Sequence, residues 1–119
     1  MIRNDLTHLI APATLNGQRV VAIECDLLLG PDGTFPIPGT LYIRFADLDA
    51  AFMTQNQPGL MIIPLFAAGY DAITVTERLQ DLGYAGRIAV MAPNLPKPKL
   101  VEAELRAIGP GERLSLISP

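Results

Sequence analysis

The chain has 119 residues, half of them apolar and 18% charged, with a formal net charge of −3 and one cysteine. This length suits one domain with one core, spanning 1–119, and the lone cysteine excludes an internal disulfide and suits a reducing cytoplasm. No run approaches the roughly 20 apolar residues that cross a bilayer, and no basic cluster beyond Lys97-Pro98-Lys99 is present to neutralise nucleic-acid phosphates.

The N-terminus lacks the basic-then-apolar order of a secretory signal. Leu6, Leu9 and Ile10 have helical spacing, and Asn16-Gly17 favours a turn before the first core strand. His8 has no Ser, Cys or second His at a recognisable catalytic spacing, so it reads as a structural or surface histidine. Val20–Ile23 is apolar throughout and reads as a strand covered on both faces. A first helix should follow, but the breakers from Gly30 to Pro36, then Pro38-Gly39, forbid one of useful length. A hairpin excursion or an extended loop turning at Gly30-Pro31-Asp32-Gly33 is expected instead. Residues 30–34 lack the Gly-Lys-Ser/Thr ending of a phosphate loop.

Thr40–Phe45 alternates in polarity, as an edge strand does, and Leu48, Ala51 and Phe52 mark a short helix closed by Pro58-Gly59. Asp47 and Asp49 fall on different sides of that helix and read as solvated. Leu60–Ile63 is a second fully apolar strand, expected to stop at or just before Pro64, which cannot donate to a ladder. Asp71 is a candidate N-cap for a helix with Ala72, Val75, Thr76, Leu79 and Leu82 on one face, ended by Gly83. Ile88–Met91 is the third fully apolar strand. Leu100, Val101, Leu105 and Ile108 form a stripe begun after Pro98 and stopped by Gly109-Pro110. Leu114–Ser118 alternates like Thr40–Phe45, so both belong at the edges of a parallel α/β sheet.

The stretch from Leu60 through Pro64 and Gly69-Tyr70-Asp71 to Ala72 resembles the strand, phosphoacceptor loop and helix of bacterial two-component receiver domains. Gly69–Ala72 falls where that family places x-Met-Asp-Gly. The resemblance covers residues 19–119 and implies a flavodoxin-like sheet of order 2-1-3-4-5, with the first and fifth helices missing or replaced. It also maps the family's phosphorylation chemistry onto residues that cannot perform it. The phosphorylatable Asp falls on Pro64, and the two Mg²⁺-holding acids fall on Glu24 and Cys25, with Asp26 one step later. The phosphoryl-binding Thr/Ser falls on Ala92, and the Lys falls on Ser118, before Pro119. A hard cation gains little from a thiol. The implied protein is a phosphorylation-independent interaction module in bacterial signalling or regulation, not an enzyme, without metal or cofactor.

Other readings of these residues stand beside that one. The acids around Cys25 would raise its thiol pKa, which favours a buried small residue over a redox thiol. Leu27, Leu28, Leu29, Phe66 and Tyr70 form a possible interaction surface, while Phe66, Tyr70 and Tyr84 could equally pack on the sheet. A small flavodoxin-like enzyme or ligand-binding protein would place its site at the carboxyl ends of the strands, at Glu24, Asp26, Pro64, Phe66, Ala92 and Ser118. No nucleophile–base pair is visible there. A subunit that folds fully only within a larger complex is a third reading. With two helices absent from one side, a bare apolar sheet face is expected to drive homodimer formation or obligate binding to a partner protein.

Overall fold

A computed structural model describes residues 19–23, 40–67, 70–92 and 95–117 and, of residues 66, 67 and 70, the backbone alone. The apolar runs form the middle of its sheet. β1 (Arg19–Ile23) lies between β2 (Thr40–Ile43) and β3 (Pro58–Pro64), followed by β4 (Arg87–Met91) and β5 (Leu114–Ile117). All neighbours are parallel, giving the flavodoxin-like order 2-1-3-4-5. The two alternating segments, β2 and β5, are the edges, as their texture indicates.

Register divides the side chains between two faces. Val21 pairs with Leu41 and Met61, Met61 with Ile88, and Ile88 with Leu114. These residues, with Ile23, Ile43, Ile63 and Val90, belong to one core. Among the described residues three helices pack on that core: α1 (Ala50–Asn56) through Phe52 and Met53, α2 (Ala72–Asp81) through Val75 and Leu79, and α3 (Pro98–Ala107) through Val101 and Leu105. The opposite face carries Val20, Ala22, Leu60, Ile62 and Ala89, none more than 2% exposed in the single chain. Burial on both sides explains why β1, β3 and β4 carry no polar alternation.

These central strands present no open apolar face. Residues 1–18 and 24–39, including Leu27–Leu29, lie outside the described residues.

Local signals account for most helix ends. Asp71 caps α2, its Oδ1 accepting from the Thr74 amide at 3.1 Å and the Thr74 hydroxyl at 3.2 Å. Gly83 follows that helix with φ +75°, a left-handed position that glycine occupies without strain. Ala72, Val75, Thr76 and Leu79 are the buried stripe of α2. Pro98 opens α3, where its missing N–H is no loss.

Four expectations need correction. Leu100 is not on the buried stripe of α3; it is 57% exposed, about 100° around the helix from Val101. Pro58-Gly59 does not close α1: the helix ends at Asn56, Gln57 turns the chain at φ +42°, and Pro58 is already the first residue of β3. Asp47 and Asp49 both lie before α1 rather than on it. Asp49 accepts from the Phe52 amide at 2.8 Å as the N-cap, and Asp47 accepts from the Arg44 amide at 3.3 Å. Phe45, expected in the edge strand, begins the 3-10 turn Phe45–Asp47 instead.

The outer edge of β5 is occupied by side chains of α3. The Leu116 amide donates to Glu102 Oε2 at 2.9 Å, and Arg106 Nε donates to the Leu114 carbonyl at 2.9 Å. Glu102 and Arg106, one turn apart, are also 3.6 Å from one another. The pair takes one donor and one acceptor that a further strand would use, which blunts this edge against strand addition. Glu102→Ala is expected to cost about 1–2 kcal/mol, mainly from the charged hydrogen bond rather than the half-exposed ion pair. Glu102→Gln should recover most of it. Urea unfolding measures both, and equal losses for the two variants would show that the Leu116 contact contributes nothing.

Candidate interaction site at the carboxyl ends of the strands

In a parallel sheet every strand ends on the same side, and here β3 and β4 bring Pro64 and Ala92 to that rim. Pro64 is opposite Met91, half-buried, at the last position of β3. The strand therefore stops where a missing N–H predicts. The chain resumes pairing one residue later: the Leu65 amide donates to the Met91 carbonyl at 2.8 Å, and the Ala72 amide to the Leu65 carbonyl at 2.9 Å. Ala92 is 1% exposed and its amide donates to the Ile117 carbonyl at 2.8 Å. The structure thus brings two of the family-mapped positions to adjacent strand ends, one an imino acid and one a methyl group.

Glu24, Cys25, Asp26 and Ser118 lie outside the described residues. Phe66 and Tyr70 are placed by backbone alone, in a feature the sequence does not announce. Phe66–Ala67 pairs antiparallel with Tyr70–Asp71, with Phe66 opposite Asp71 and Ala67 opposite Tyr70. This short ladder turns the chain back from β3 and delivers Asp71 to the start of α2. Tyr84 takes the packing role: it is 7% exposed and its hydroxyl donates to the Arg87 carbonyl at 2.7 Å. Burial pushes its phenol well above the usual tyrosine range, against the lowering pull of Arg113 and Arg87, so it remains a protonated donor.

Beside this rim, the start of α2 and one flank of α3 enclose a groove of about 200 Å³. Its buried base is Leu65, Ala72 and Leu105, and its sides are Ile73, Leu95 and Val101. Asp71 and Glu104 are the charged residues lining it. Sequence reasoning places Val101 and Leu105 in the core and Asp71 at the cap, but misses Ile73, Leu95 and Glu104. A signal for Ile73 exists: it is a large apolar residue off the buried stripe of its helix. Among the described residues no group of three or more His, Cys, Asp or Glu side chains is placed to hold a metal ion. Among them, too, no helix is long and apolar enough to cross a membrane. No family model matches this chain, and neither does any curated protein or solved structure.

Proposed function

We propose that the chain is a receiver-like protein-interaction module that works without phosphorylation, in bacterial signalling or regulation. The observation that carries this reading is Pro64 at the carboxyl end of the central strand β3, paired with Met91 and one step from Ala92. A phosphoryl acceptor at that point needs a carboxylate oxygen, and proline offers none. The adjacent amides of Leu65 and Ala92 are committed to strand carbonyls rather than turned to a ligand. The surface is therefore held in one state, and its output is association with another protein. Its partner is a second copy of the chain or a regulatory protein.

Acetyl phosphate with Mg²⁺, followed by intact-mass spectrometry, tests this reading. The wild type is expected to remain unmodified. Pro64→Asp is expected to fold and to remain unmodified as well, because position 118 is Ser where the family has Lys. Stoichiometric phosphorylation of either protein overturns the mapping of roles.

The groove supports a second reading, a ligand-binding protein with its site at the carboxyl ends of the strands. Its 200 Å³ falls short of the ~300–1,000 Å³ usual for small-molecule sites, so this reading ranks second.

A further inference from the structure

The large apolar side chains exposed among the described residues are Ile73, at 43%, and Leu100, at 57%. One of them belongs to the groove at the start of α2. Ile73 lines it from α2. Leu100 lies four residues before Glu104, a lining residue, and so sits one turn along α3 from the groove. Exposed leucine or isoleucine alone is ordinary on a protein surface. Here Ile73 belongs to a concavity already lined by Leu65, Leu95 and Val101.

Size and charge narrow the occupant. About 200 Å³ admits one bulky side chain, not a nucleotide or a cofactor. Among the described residues the lining charges, Asp71 and Glu104, are both carboxylates, on a chain whose net charge is −3. An acidic rim around an apolar floor is complementary to a hydrophobic residue flanked by cations, and such complementarity selects partners more than it tightens them.

We infer that this groove docks a short apolar and basic segment of a partner protein. One leucine-like or aromatic side chain is seated between Ile73, Leu95 and Val101. A neighbouring lysine or arginine pairs with Glu104 and Asp71. The inference rests on the interaction-module reading and specifies the surface and the partner's chemistry. A single anchor on a small groove makes a transient complex rather than a permanent one.

Two blocked synthetic peptides with identical leucine spacing, one with lysine and one with glutamate between the leucines, are the probes, titrated into the isotope-labelled full chain. The lysine peptide is expected to give saturable amide shifts at Leu65, Ile73, Leu95 and Val101, and the glutamate peptide to bind at least about tenfold more weakly. Ile73→Glu is expected to abolish binding with little change in thermal midpoint, because Ile73 is already part-exposed. Glu104→Lys is expected to reverse the preference between the peptides. Equal affinity for the two peptides, or shifts that map away from the groove, overturns the inference. So does self-association in sedimentation that Ile73→Glu removes, which would make the occupant a second copy. Phosphoryl transfer to the chain would instead overturn the phosphorylation-independent reading and leave the peptide map untouched.

Discussion

Ile62→Ala is expected to destabilise the protein by about 2–5 kcal/mol, and Ile63→Ala by a similar amount. The two residues are neighbours on β3 with opposite faces. Ile63 points into the core formed with Val75 and Leu79, and Ile62 points to the other face, yet both are 0% exposed. Each truncation removes buried methyl and methylene groups and leaves a void that a parallel sheet cannot readily close. The comparison matters more than either number. If the second face were open in solution, Ile62→Ala would cost well under half as much as Ile63→Ala. If a second copy covered it, the unfolding midpoint would rise with protein concentration. Urea unfolding at two concentrations separates the cases, and the buried single chain predicts matched, concentration-independent losses.

Gly86→Ala is expected to cost about 1–3 kcal/mol through overpacking rather than backbone strain. A Cβ on Gly86 would lie 2.6 Å from Tyr84 Cζ and 2.8 Å from Cε1, and would also press on the phenolic oxygen. The ring has little freedom to retreat. It is 7% exposed, its hydroxyl donates to the Arg87 carbonyl, and Arg113 Nη1 donates to the Gly86 carbonyl at 2.7 Å. Because the phenolic oxygen is the atom most directly in the way, Gly86→Ala should cost less in a Tyr84→Phe background. A double-mutant cycle by thermal or urea unfolding reads that coupling. Simple additivity of the two changes would show that the contact is absent.

The sheet is legible from the residues because its signal is local. Val20–Ile23, Leu60–Ile63 and Ile88–Met91 are apolar at every position, as strands covered twice must be, and the alternating segments fall at the edges. The helix after Asp71 is legible in full, cap and stop included, since a side-chain acceptor, a 3.6-residue stripe and a left-handed glycine all act within a few residues. Boundaries fail where two elements compete for one residue. Pro58 can end a helix or begin a strand, and Gln57 in the left-handed region settles it for the strand. Leu100 fails because hydrophobicity alone does not say which side of α3 the sheet will meet. Of the mapped site positions, Pro64 and Ala92 come together at neighbouring strand ends. The groove itself is not legible, because Ile73, Leu95 and Glu104 are joined only by the packing of α2 against α3. The Glu102–Arg106 cover over β5 is hidden for the same reason: it joins side chains on a helix to the backbone of a strand eight or more residues on.

Whether phosphate switches the proposed receiver-like surface is measured by titrating beryllofluoride with Mg²⁺ into the isotope-labelled protein. The amides of Leu65, Met91 and Ala92 report on the strand ends that would surround a phosphoryl group. No saturable shift is expected at any of them, because Pro64 supplies no side-chain oxygen and Ala92 no hydroxyl. Saturable, Mg²⁺-dependent shifts at those amides would contradict that expectation.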